Sequence, residues 1–128
     1  KTLLSDNTDL VLYQDTPLFT SEACVWANMK SSCPGIDRCG FEKMVLANEH
    51  GDQFTAINEA CRTVIIKERP FSIIHLIQTF LEAGHMDYRI DLCYKDYTAE
   101  MIRDILSGIQ SAKRIKNSTI GNFERGLL

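Results

Sequence analysis

No apolar run in this 128-residue chain approaches the ~20 residues that a membrane-spanning helix needs. No secretory leader opens it and its first residue is not Met, so the chain reads as a piece: a mature fragment, a domain, or one part of a longer protein. Net positive charge is also lacking. Fourteen Lys and Arg against 17 Asp and Glu leave a formal charge of −3, which gives no broad pull toward nucleic acid or anionic lipid. Lys113, Arg114 and Lys116 form a local basic run, read here as a solvated helix end. There is no internal repeat, no low-complexity segment, and no tight Cys-x-x-Cys pair of the kind used by zinc ribbons and ferredoxins. The five cysteines are an odd count, which argues against a secreted disulfide framework. A reducing, cytoplasmic setting fits better, and clustered thiols there point to metal or redox use.

What is present is a pattern of mixed helix and strand, with 45% hydrophobic and 24% charged residues, ordinary for a globular domain. Residues 9–13 read as a short buried strand. The stretch from Gln14 to Gly40 has no sustained period and is expected to be irregular, with a helical turn opened by Ser21 and Glu22. Residues 43–48 and 53–58 read as the arms of an antiparallel hairpin turning at Gly51. Residues 62–67 and 87–93 read as strands. Helices are expected over 71–83, ended by Gly84, and over 98–111, capped by Thr98. Strand–helix–strand–helix order implies parallel strands with right-handed crossovers, so 9–13, 62–67 and 87–93 are expected as parallel neighbours. The chain divides into a cysteine-rich loop plus hairpin (14–61), two βα units (62–111) and a tail (112–128), within one domain or a fragment of a larger barrel. Three parallel strands alone leave a sheet uncovered. The expected fold class is therefore α/β: the C-terminal part of a (β/α) barrel with a cysteine-rich loop and hairpin insertion, completed by an N-terminal part of the barrel as partner.

Four cysteines surround a loop, "SSCPGIDRCGFE", with little apolar surface to fix it. Cys24, Cys33, Cys39 and Cys61 are separated by eight, five and twenty-one residues. Converging on one centre, four thiolates suit either a structural zinc ion or an iron–sulfur cluster; the bland alternative is a set of unrelated buried thiols. Cys93, in "DLC", is expected in the core. Arg89 and Asp91 share one face of a strand, where they hold a polar substrate or pair with each other. His50 is expected in an exposed turn, His75 half-buried beside a helix's apolar face, and His85 at a helix end. Glu59 and the Asp37-Arg38 pair adjoin the cysteines and by default face solvent. Trp26 and Tyr13 either roof the loop or simply pack. No nucleophile–base pairing of the kind covalent catalysis requires is evident.

The order "VLYQDTPLFTSEAC", a cysteine loop, "LANEHGDQFTAINEAC", then "IIKERPFSIIHLIQTFLEAGHMDYRIDL" resembles the later part of the collagenase-like peptidase family of unknown catalytic type. The family's Pro-Leu-Met-x-Ser segment is matched by Pro17-Leu18-Phe19-Thr20-Ser21. Its Asp-Arg-x-Gly-x-x-Phe hairpin is matched by Glu49-His50-Gly51-Asp52 with Phe54, and its Gly-x-x-x-Arg-Gly tail by Gly121 to Gly126. The strand at Arg89-Ile90-Asp91 lacks the family's Gly-Arg ending. The resemblance implies a (β/α) barrel, with a 4Fe–4S cluster held by Cys24, Cys33, Cys39 and Cys61. It further implies oxygen-independent hydroxylation of an RNA base or an isoprenoid quinone ring, with a family paralogue as heterodimeric partner. The family's older name implies a metal-dependent peptidase instead. A non-catalytic, zinc-stapled module is the alternative from a different class.

Overall fold

The computed structural model describes residues 8–30, 32–37, 39–40 and 42–124. Arg38 and the Arg125-Gly126 end of the tail lie outside them. The chain forms two compact units: one from residues up to Asp15 and from Arg69 onward, the other from Thr16–Glu68. Among the described residues helix and strand are mixed, in two sheets with three α-helices.

The discontinuous unit is built on β1 (Leu10–Gln14), flanked by β6 (Phe71–Ser72) and β7 (Tyr88–Asp91). β1 and β7 run parallel, as expected, and β6 pairs antiparallel at Tyr13↔Ser72. A register shift between Val11 and Tyr13 explains why Leu12 and Tyr13 are both buried: a bulge breaks the strict alternation of faces. They pack with Ile73, Ile74, Ile77 and Ile105. Helix is expected from residue 71, but the α-helix α2 spans only Ile77–Glu82, preceded by a 3-10 turn at Ile74–Leu76. Pairing of Ser72 with Tyr13, and the bond from the Ile73 N–H to the Leu12 carbonyl at 2.9 Å, hold the chain extended before it. Helix α3 (Ala99–Ser111) begins where the sequence indicates, with the Thr98 hydroxyl accepting from the Met101 N–H. The tail touches the sheet through Thr119, which bridges Phe71 in parallel.

The Thr16–Glu68 unit is an antiparallel sheet of order β2-β5-β4-β3, with β2 Pro17–Ser21, β3 Lys43–Ala47, β4 Gln53–Glu59 and β5 Arg62–Lys67, plus the short helix α1 (Val25–Lys30). The hairpin of β3 and β4 is found as expected, turning at Gly51 with φ of 82°. Residues 62–67 are a correction. β5 is not a parallel neighbour of β1; it pairs antiparallel with β4 and β2. The two-residue connection Ala60-Cys61, both with positive φ, folds β5 straight back on β4, the geometry of a tight hairpin. Within residues 14–40, expected to be irregular, β2 is a full strand and the helix starts at Val25 rather than at Ser21. Trp26, Ala56 and Ile65 form this unit's core, with Cys24 and Val25 against it.

Candidate metal centre

The Thr16–Glu68 sheet brings three cysteine-bearing segments to one of its ends. Across β2, β5 and β4 that end is marked by the paired row Ser21, Thr63 and Asn58. Cys61 lies in the turn just beyond it, exposed. Thr63 ties down the segment before α1: its hydroxyl donates to the Ala23 carbonyl at 2.7 Å and accepts from the Val25 N–H at 2.9 Å. Cys24 sits between those two residues, half-buried, and its sulfur accepts from the Ala27 N–H at 3.4 Å. Asn58 ties down the far end of the cysteine loop. Its backbone N–H donates to the Glu42 carbonyl at 2.9 Å, and its side-chain Nδ2 lies 2.6 Å from the Cys39 sulfur, to which it donates. The loop closes on itself where the Cys39 N–H meets the Gly35 carbonyl at 3.0 Å; Gly35 has φ of 88°, a conformation costly for a residue with a Cβ. Cys33 lies at the loop's start and is exposed.

Two of the four sulfurs thus accept N–H bonds from the protein, the kind of contact that orients metal-bound thiolates and sets the potential of a cluster. Asn58 is 1% exposed and, among the described residues, its Oδ1 has no hydrogen-bond partner, an orphaned acceptor in a buried place. Among the described residues, no three His, Cys, Asp or Glu side chains gather closely enough to hold a metal ion. Thiols are the right donors for a thiophilic metal, and Cys24, Cys39 and Cys61 share this end of the sheet; ligation requires the side chains to close on one another.

Other candidates fall elsewhere. Cys93 is exposed, not in the core: β7 ends at Asp91, and the Cys93 N–H turns back to the Asp91 carboxylate at 3.1 Å. That carboxylate, by hydrogen bond and by charge, pushes the Cys93 thiol up from its ordinary range. Arg89 and Asp91 pair with each other, Nη2 to Oδ2 at 3.6 Å, with the Arg89 side chain 61% exposed. His50 lies exposed in the hairpin turn. His75 is half-buried and its Nδ1 has no hydrogen-bond partner among the described residues, and the His85 ring meets Phe80 edge-on. Trp26 packs beside Cys24, whereas Tyr13 belongs to the other unit's core.

Sequence reasoning passed over a second polar group. Asp15, its side chain fully buried, lies just past the C-terminal end of β1. The Tyr97 hydroxyl donates to its Oδ2 at 2.7 Å, Lys95 Nζ is 3.5 Å from its Oδ1, and the Tyr13 hydroxyl is 3.3 Å from that of Tyr97. Burial, then the bonds to Tyr13 and Asp15, raise the Tyr97 pKa well above the usual phenol range. The one available signal was an acidic residue directly after an apolar strand, "VLYQD". Comparison with family models, with curated proteins and with solved structures found no match to this chain.

Proposed function

We propose that the chain carries an iron–sulfur cluster on Cys24, Cys33, Cys39 and Cys61, at the Asn58–Thr63 end of the β4–β5 hairpin. One observation supports this reading above the others: segments distant in sequence, at Cys24, Cys39 and Cys61, are tied to that one end through Thr63, Asn58 and the turn. When bound, such a cluster supplies electron transfer or activation of an oxygen donor. The chain's own residues present the four sulfurs, donate N–H bonds to two of them and, through Trp26, place an apolar wall beside Cys24. With the resemblance to the collagenase-like peptidase family, the reading extends to a (β/α)-barrel protein that hydroxylates an RNA base or an isoprenoid quinone ring without oxygen. A structural zinc ion at the same four thiols is the second reading, favoured by the position of Cys61 in a turn that such an ion would staple to the loop.

Anaerobic incubation with iron and sulfide separates the two. The cluster reading predicts a brown protein carrying iron and sulfide together, and loss of both in the Cys24→Ser, Cys39→Ser and Cys61→Ser variants but not in Cys93→Ser. A protein that stays colourless and takes up no sulfide in that incubation, yet binds zinc stoichiometrically when zinc is supplied, contradicts it.

A further inference from the structure

The unit that holds α3 contains a cavity of about 350 Å³ that the cysteine chemistry does not use. It lies between α3 and the chain that follows it. Gly108 lets the following chain fold close against the helix beside it: a Cβ there would come 2.5 Å from Ile115 Cδ1 and 3.3 Å from the Lys113 carbonyl. Met101, Ile105 and Ile115 give it apolar walls, and Tyr13 a buried aromatic one. Tyr13 is braced from behind, because its hydroxyl is 3.3 Å from that of Tyr97, which is itself bonded to buried Asp15.

The charged lining is unequal. Lys113, Arg114 and Lys116 all border the cavity, against the single carboxylate of Asp104. Among the described residues none of these three cations is in an ion pair. The carboxyl end of α3 accounts for part of that charge, since a helix end carries roughly half a negative charge. The remainder is an unneutralised positive rim on a chain of net charge −3. A half-open, mostly apolar hollow of this size with a few convergent polar groups is a usual form of a small-molecule site.

We propose that this cavity binds a small organic anion with an apolar body. Its acidic group, carboxylate or phosphate, is held by Lys113, Arg114 and Lys116, and its body packs against Tyr13, Met101, Ile105 and Ile115. Bidentate and charge-assisted hydrogen bonds suit Arg114 to either acid. The proposal stands apart from the cysteines and does not depend on the reading given for them.

Two-dimensional NMR titration of the ¹⁵N-labelled chain tests it, with phenyl phosphate and phenylacetate as probes and phenylacetamide as the neutral control. Both anions should give saturable shifts centred on the Gly108, Lys113 and Ile115 amides, and the amide should not. The tighter of the two identifies phosphate or carboxylate as the preferred acid. A Lys113→Glu/Arg114→Glu double variant, whose dispersed spectrum certifies its fold, should weaken binding by about tenfold or more. Met101→Trp, which fills the cavity from its half-exposed rim, should abolish binding. Absence of saturable shifts, equal shifts with phenylacetamide, or unchanged affinity in the double variant would each overturn the proposal. Inorganic phosphate binding as tightly as phenyl phosphate would overturn the part that assigns an apolar body.

Discussion

Asn58 and Tyr97 show how much a single polar side chain decides in this chain. Asn58 was not singled out from the sequence, because one amide at the end of an apolar strand reads as a strand boundary. Its role follows from register: opposite Thr63 on β5 and beside the returning cysteine loop, it meets the Cys39 sulfur. Tyr97 satisfies one oxygen of a buried carboxylate. Tyr97→Phe deletes that bond and leaves Asp15 to Lys95 alone, so a loss of about 1.5–3 kcal/mol of stability at neutral pH is expected. The sign of the pH effect is set by the raised Tyr97 pKa. A phenol with a folded pKa above its unfolded value of about 10 contributes fully below that pH, and the contribution is lost as pH rises beyond it. Urea midpoints should therefore fall on the alkaline side of about pH 10 in the parent chain, and fall less steeply in Tyr97→Phe. Equal slopes for the two proteins would show that Tyr97 is not the group responsible.

Among the elements, those whose pattern is local were legible and those fixed by pairing were not. Thr98 announces α3, and Gly51 announces the β3–β4 hairpin. β2 is not legible in the sequence, because four of its five residues are exposed and it opens with Pro17, which leaves no alternation to read. β5 is legible as a strand in the sequence, but its partner is not. Its buried run, Thr63 to Ile66, looks like an interior parallel strand, and no Asn-Gly or Gly signal marks the turn before it. Ala60 and Cys61 adopt left-handed conformations there without such help. That conformation costs roughly 1–2 kcal/mol in a residue with a Cβ, against about 0.4–1 kcal/mol for the extra freedom that glycine brings to the unfolded chain. Ala60→Gly should consequently stabilise the protein by about 0.5 kcal/mol or more, read as a higher urea midpoint. A lower midpoint would mean that the turn is not held in this geometry.

At the scale of the whole molecule, the chain leaves one unit after Asp15, builds a second from Thr16 to Glu68, and returns at Arg69. All four candidate ligands fall in the second unit, and Cys93 in the first. The spacing of the cysteines is visible in the sequence; the attachment of Cys24 and Cys39 to one end of a sheet is not, because it runs through Thr63, 39 residues from Cys24, and Asn58, 19 residues from Cys39. A centre that binds these thiols would fix a loop with little apolar surface of its own, and ligand binding to the folded form adds directly to its stability. The most direct measurement is a cysteine-by-cysteine alkylation footprint, read by mass spectrometry, of the chain before and after anaerobic loading with iron and sulfide. Before loading, exposed Cys33 and Cys61 should react faster than Cys24 and Cys39, whose sulfurs are half-buried and hydrogen-bonded. After loading, Cys24, Cys33, Cys39 and Cys61 should all be protected together and Cys93 alone should remain reactive. Protection of Cys93, or continued labelling of any of the other four in protein that has taken up iron and sulfide, would contradict the four-thiolate centre.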